Sequence, residues 1–364
     1  MRIIYDNQIF HLQRHGGVSR YFVELASAMS KINDQIELRI TAPLHFNSYL
    51  NNSQRLRKGN LYIPKSSDLL KFNQFVRKTS TVFANNRISR FCPQIIHETF
   101  YSETNIWKSN APRVITIYDL IRESEGFNNM QAKRKQESLN RASQVICISE
   151  ETKRQLKAHY EVDDRRLHVV HLGVSNQFFV EKTEGNRRKE ILFVGQRSGY
   201  KDFITLVKAF SLSKSKLENF RLVAFGGGEF TLSEKEEFKK LGIAPNSIEQ
   251  LGGNDQELIE RYTAASIFVA PSRKEGFGLP VLEAMATQTP VLCSDIAVFR
   301  EIAGECARYF SPGNSHELSQ ILDQVLLGNS DKSKSTASAL KRAKEFSWDL
   351  CASRTLEVYR NAQN

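Results

Sequence analysis

Only five cysteines occur in 364 residues: Cys92, Cys147, Cys293, Cys306 and Cys351. Their odd number and wide scatter exclude a disulfide framework and a cysteine-built zinc site, and point to unpaired thiols in a reduced compartment. Long apolar runs are absent, so no segment reads as a membrane span. The opening MRIIYDNQIF is too short and too polar to be the apolar core of a signal peptide, and a cytoplasmic chain is the expectation. There is no low-complexity tract. With 40% hydrophobic and 25% charged residues, wholesale disorder is excluded.

Acidic residues fall short in one half only. The net charge is +11, of which residues 1–180 carry +10 and residues 181–364 carry +1. A basic first half suits nucleic acid, an anionic membrane surface or a phosphate-bearing ligand, and a merely solvated basic surface explains it equally well. Within Asp68–Cys92 the apolar residues Leu69, Phe72, Phe75, Val76, Phe83 and Ile88 recur near helical spacing. Lys71, Arg77, Lys78, Arg87 and Arg90 fill much of the remainder, and Asp68 is the lone acid. Such a segment either lies in an anionic membrane interface, giving a peripheral contact at the inner face, or packs its apolar stripe as an ordinary surface helix. Leu69–Phe91 also interleaves aromatics with cations, but no usual nucleic-acid-binding module is readable in it, and no nucleic-acid partner is expected.

Apolar runs of strand length alternate with amphipathic stretches. Strands are expected at Arg2–Tyr5, Ile36–Thr41, Ile95–Glu98, Arg113–Ile117, Gln144–Ile148 and Leu167–His171. A second series covers Ile191–Gly195, Phe220–Phe225, Ile248–Gly252, Ile267–Ala270, Pro290–Cys293 and Ala307–Phe310. Helical periodicity marks Ser19–Ile32, Tyr200–Ser213, Glu234–Leu241, Asp255–Ala265 and Leu279–Thr287. This alternation implies an α/β fold with two parallel sheets covered on both faces. The polar stretch 175–189 reads as the connection between them. Ligands of such sheets bind outside the carboxyl ends of the strands, so strand ends are where chemistry is sought.

Four strand ends carry suggestive residues. Gly16 and Gly17 precede a helix, where bare backbone admits a phosphate or simply makes a tight turn; the third glycine of a dinucleotide fingerprint is missing. Tyr118 and Asp119 end Arg113–Ile117, and either line a polar pocket or, for Asp119, cap the next helix. Arg197 and Lys201 follow Ile191–Gly195 on a loop, placed for a departing diphosphate or for solvent. The fullest signal is Pro271–Glu283. Gly276 and Gly278 form an anion-binding nest, a helix starts near Leu279 with Pro280 in its first turn, and Glu275 and Glu283 bracket the loop.

Glu275–Glu283 resembles the Glu-x7-Glu motif of retaining GT-B glycosyltransferases, particularly glycosyltransferase family 4. The likeness extends in order along the chain through the glycine turn, Tyr118-Asp119-Leu120, Ser149-Glu150-Glu151-Thr152 and His171-Leu172-Gly173-Val174. It continues through the Arg197/Lys201 loop, Gly226-Gly227-Gly228 and the closing Phe346-Ser347-Trp348. Two departures stand out: Tyr118 replaces a common histidine, and Gln196 takes the place where an arginine often follows the glycine. The resemblance implies two Rossmann-like domains facing a cleft. Residues 1–174 form the acceptor-side domain, with 348–364 crossing back to it as a C-terminal helix, and 187–347 form the nucleotide-sugar domain.

It further implies transfer of a hexose from a GDP- or UDP-linked donor to a glycan or lipid-linked acceptor in cell-surface polysaccharide assembly. Arg197 and Lys201 would hold the diphosphate, Glu275 the transferred sugar, and Glu283 the ribose. Gly16, Gly17, Gly226, Gly227 and the Gly276-Phe277-Gly278-Leu279 segment would line the donor, with Tyr118 and Asp119 near the reacting centre. No Asp-x-Asp pair is present to hold Mg²⁺ or Mn²⁺, so neither metal nor cofactor is expected. A nucleotide-sugar epimerase on the same fold is the alternative enzyme, and a nucleic-acid-binding protein the alternative of another class.

Overall fold

Short runs of Ile, Val, Leu and Phe build the strands, and most are buried on both faces, as strands between two helical layers must be. In chain order they are β1 (Arg2–Tyr5), β2 (Glu37–Ile40), β3 (Leu44–His45), β4 (Leu61–Tyr62), β5 (Ile95–Glu98), β6 (Arg113–Ile117), β7 (Gln144–Cys147) and β8 (Leu167–Val169). Then follow β9 (Arg188–Val194), β10 (Arg221–Phe225), β11 (Ile248–Leu251), β12 (Ala265–Ala270), β13 (Val291–Ser294) and β14 (Arg308–Phe310). The computed structural model describes residues 1–33, 35–64, 70–103, 106–124, 130–180, 187–216, 218–328 and 332–364.

Two units result: Met1–Gly173 together with Ser347–Asn364, and Val174–Phe346. The first holds a parallel sheet in the order β2-β1-β5-β6-β7-β8, with β3 and β4 as a separate pair; the second holds β11-β10-β9-β12-β13-β14. Strand order reverses between β1 and β5 in one sheet and between β9 and β12 in the other. Crevices open at such reversals, outside the carboxyl ends of the flanking strands.

The stretch read as a connection is only partly one. Arg188 and Lys189 already belong to β9, whose first residues are polar because they precede the buried part of the strand. Upstream, Phe178 is buried against Tyr262 and Gln177 Nε2 donates to Asp255 Oδ2 at 2.9 Å, tying residues 176–178 to the second unit. Residues 181–186 of that stretch lie outside the described residues.

The C-terminal helix, Trp348–Gln363, belongs to the first unit. Ser347 caps it by accepting the Leu350 N–H at 3.1 Å. It buries Trp348, Cys351, Ala352, Thr355, Leu356, Val358 and Tyr359; the larger apolar chains contribute about 1.5–3 kcal/mol each on full burial. The Tyr359 hydroxyl reaches Tyr5 Oη at 3.1 Å and His97 Nδ1 at 2.7 Å. Gly173 explains why the His171–Val174 and Phe346–Trp348 motifs accompany one another. A Cβ there would sit 2.2 Å from the Trp348 nitrogen, so only glycine lets the two backbones pass.

The helix Leu70–Phe91 corrects the expected apolar stripe. Asn73, Val76, Ser80, Ala84, Ile88 and Phe91 face inward, while Phe72, Phe75, Val82 and Phe83 stand exposed. Small residues decide this: Ser80 Oγ donates to the Leu44 carbonyl at 2.9 Å and accepts the Leu44 N–H at 3.2 Å, a close approach that a phenylalanine would block. Asp68 and Leu69 lie outside the described residues, as does the Lys71 side chain. No helix among the described residues is long and apolar enough to cross a membrane.

Candidate functional site

In the second unit three adjacent strand ends converge: residues 195–202 after β9, 226–230 after β10 and 271–278 after β12. Lys201 and Glu275 meet here, with Nζ 2.6 Å from Oε1. Ser272 Oγ donates to the same oxygen at 2.7 Å, which fixes the carboxylate. Burial alone would lower the lysine pKa, but the Glu275 charge and hydrogen bond outweigh it and raise it above the usual lysine value, so the ammonium stays charged. Asp202 locks the two loops together. It is buried in a left-handed conformation and accepts from Arg273 Nε at 2.7 Å and Thr205 Oγ1 at 2.8 Å. The Arg273 N–H also donates to the Tyr200 carbonyl at 2.8 Å.

The helix Leu279–Ala286 begins at Gly278, whose φ of +103° suits glycine and where a Cβ would lie 2.8 Å from the Phe299 ring. Gly276 and Phe277 are buried beside it, and Leu279 is half-buried. The two carboxylates of the motif have different surroundings. Glu275 is part-exposed on the loop, whereas Glu283 is only 5% exposed and accepts from the Tyr262 hydroxyl at 3.2 Å. The first can follow a reacting group, and the second is pre-set by the core. Among the described residues no group of three or more His, Cys, Asp or Glu side chains converges as metal ligands would.

Arg197 is a correction. It was expected to hold a diphosphate, yet every guanidinium N–H is already used. Nε donates to Glu234 Oε1 at 2.7 Å, Nη1 to the carbonyls of Gly226 and Gly228 at 3.0 and 2.8 Å, and Nη2 to the Glu229 carbonyl at 2.9 Å and Glu234 Oε2 at 3.3 Å. Five donors in a rigid fork are saturated, so the residue shapes the glycine turn instead of facing a ligand. Gly226 and Gly227, expected to contact the donor, have φ of +92° and +73°. A Cβ on Gly227 would meet Arg197 Nη1 at 2.7 Å, so this glycine makes room for the arginine.

In the first unit Gly17 opens the helix Gly17–Ile32 and is exposed, with open space where a Cβ would stand. Beside Gly16, the Gln13 carboxamide oxygen accepts the Ser19 N–H at 3.0 Å, in the position an anion at this helix end would take. Tyr118 packs its ring edge-on to Tyr21 and Phe22 and is 8% exposed; burial pushes its hydroxyl pKa far above the usual tyrosine range. Asp119 lies one residue before the N-cap position of the helix Ile121–Ser124; its side chain accepts the Ile121 N–H at 3.3 Å and its carbonyl receives Lys135 Nζ at 2.9 Å.

Four supporting residues escaped the sequence reading: Ser272, Asp202, Tyr262 and Glu234. Only Glu234 had a local signal, since Thr231-x-x-Glu234 is a capping box that starts the helix Leu232–Lys240. The other three act through partners near only in space.

The profile described as Glycosyltransferase Family 4 matches residues 15–178, and that described as Glycosyl transferases group 1 matches residues 175–345. The O-antigen chain mannosyltransferase B of Escherichia coli is 26% identical over 236 residues, covering 62% of this chain and 62% of its own. An MMP alpha-(1->4)-mannosyltransferase of Mycolicibacterium hassiacum is 28% identical over 253 residues, covering 67% of this chain and 59% of its own. The chain thus spans about six tenths of the length of the curated relatives it matches. Two solved structures show the fold. A Rickettsia africae glycosyltransferase aligns with TM-score 0.71 at 21% identity, over 99% of this chain and 98% of its own. An Anabaena protein solved with UDP and glucose aligns with TM-score 0.76 at 16% identity, over 98% of each.

Proposed function

The chain belongs to family 4 of the glycosyltransferases, with the GT-B fold, and from that premise we propose that it transfers a hexose from a GDP- or UDP-linked donor to a glycan or lipid-linked acceptor. The observation that carries this reading is the Lys201–Glu275 pair at the β9/β12 reversal, beside the glycine-capped helix Leu279–Ala286. A diphosphate entering there exchanges one anionic partner of Lys201 for another and gains the backbone N–H groups of the helix start. Glu275, then released, faces the sugar. The bond from C1 to the diphosphate oxygen breaks and the acceptor oxygen bonds to C1 on the same face. The acceptor proton passes to the departing phosphate oxygen, so the anomeric configuration is kept. Lys201 and the helix dipole take the developing charge, a role that needs no metal ion. The E. coli relative's O-antigen name and the Anabaena protein's UDP and glucose support polysaccharide assembly and the donor class respectively.

The test is incubation with GDP- and UDP-hexoses, with and without acceptor, followed by NMR of the product. Retained configuration and turnover unaffected by EDTA are expected. An inverted product, a strict need for Mg²⁺, or isomerised donor without acceptor would each remove the corresponding part of the proposal, the last in favour of an epimerase. Peripheral membrane contact is a second part of the reading, supported by the exposed Phe72, Phe75, Val82 and Phe83 of the helix Leu70–Phe91. Replacing the exposed Phe72, Phe75 and Phe83 by serine should abolish co-sedimentation with phosphatidylglycerol vesicles while leaving stability within about 0.5 kcal/mol. Co-sedimentation that survives the change would remove this part.

A further inference from the structure

The first unit contains a cavity of about 900 Å³ that runs along the edge strand β2 from Glu37 to Thr41 and is lined by neither Gly17 nor Tyr118. Its size is that of a small-molecule site. Six cations line it, namely Arg2, Arg39, Arg55, Lys58, Arg87 and Arg90, against one carboxylate, Glu37. Glu37 is taken by Arg39, whose guanidinium also stacks on the Phe91 ring at 4.4 Å. Arg87 is held by the Gly59 carbonyl and Asn60 Oδ1. The other four cations form no ion pair among the described residues. Like charges gathered around one concavity repel one another, and an entering anion relieves that repulsion at several points at once.

We propose that this cavity binds a phosphate ester, as an anion site separate from the one at the β9/β12 reversal. Five of the six cations are arginines, whose planar forks match phosphate oxygens in pairs. The one aromatic in the wall, Phe91, is buried and covered by Arg39, so no stacking platform is offered to a nucleobase. The phosphate could be carried by a soluble metabolite or by a lipid headgroup. The site does not depend on the transfer reaction, and it gives the charge asymmetry of the sequence a location: all six cations lie in residues 1–180.

The experiment uses the whole chain carrying Lys201→Ala, which weakens the second unit's own attraction for diphosphate, and reads the change that further substitutions in the first unit make. In that background, inorganic pyrophosphate should raise the melting temperature. Adding Arg55→Glu, Lys58→Glu and Arg90→Glu, all at exposed positions, should weaken pyrophosphate binding by about 10-fold or more, the factor expected for lost charge-assisted hydrogen bonds. Arg90→Gln alone should weaken it less. Phosphatidylcholine vesicles with and without phosphatidic acid form the second arm. Capture only with phosphatidic acid, lost in the triple variant, identifies a lipid headgroup, whereas a response to pyrophosphate alone identifies a soluble ester. No stabilisation by either probe, or full stabilisation of the triple variant, would overturn the proposal.

Discussion

Glu275 and Glu283 belong to one motif, but their surroundings assign them different work. Glu275 is held by Lys201 and Ser272 at the loop surface, so Glu275→Ala should mostly reduce kcat. Glu283 is fixed from below by Tyr262, so Glu283→Ala should mostly raise the Kd for the donor. Each loss is expected at about 1.5–3 kcal/mol, read by steady-state kinetics and donor titration. Arg197 gives a prediction of another kind. Lys can neither fill five acceptors nor span them, so Arg197→Lys should lower stability by about 3 kcal/mol in urea unfolding. If Arg197 served only the ligand, stability would be unchanged and donor affinity alone would fall. The Arg197 role was not legible because its partners, Glu234 and the 226–229 carbonyls, are far off in sequence. Lys201 and Glu275 were legible because both follow buried strands, and a strand end is a readable place.

Elements were recovered where one pattern dominated. Strands such as β12, with its apolar run Ile267–Ala270, and β13, which opens Val291-Leu292-Cys293, are mainly apolar, and a parallel sheet covered on both sides demands that. The helix Leu70–Phe91 was readable as a helix but not in its orientation. It carries more apolar side chains than one face can bury, and the face chosen is set by Ser80, whose smallness matters only once β3 lies against it, and by Ala84, which packs among Ile4, Ile96 and Trp107. The Gly173 crossing is the clearest element-level test. Gly173→Ala drives a Cβ into the Trp348 backbone and should cost about 1–3 kcal/mol. Thermal unfolding checks this, and an unchanged melting temperature would mean that the two segments do not pass so closely.

Across the whole molecule, titration separates the two units. Burial lowers the pKa of His97 from 6.5 to about 3 and those of His11 and His45 to about 4, all in the first unit. These rings stay neutral when folded, while the unfolded chain takes up protons near 6.5. Their contribution is therefore intact above that pH and lost progressively as the pH falls below it. Asp6 and Glu98, whose carboxyl pKa values burial pushes up, act in the opposite direction. The histidine part is isolated by comparing wild type with His97→Gln between pH 6.5 and 4. The variant should lose up to about 1.4 kcal/mol less per pH unit in the unfolding of the first unit, and parallel profiles would show that His97 charges freely.

The C-terminal helix has a consequence in time. A ribosome delivers the first unit's sheet early, but Trp348, Leu356 and Tyr359, which close its core, come from a stretch of message that follows the whole second unit. The second unit, encoded in between as one uninterrupted segment, has all its strands in hand before that stretch is translated. The usual order of synthesis, in which the amino-terminal domain finishes first, is therefore inverted. The first unit waits on the ribosome with its apolar groove open for the translation of the whole second unit. A premature stop shortly before Ser347 would yield a protein whose second unit is complete and whose first unit has no means of closing.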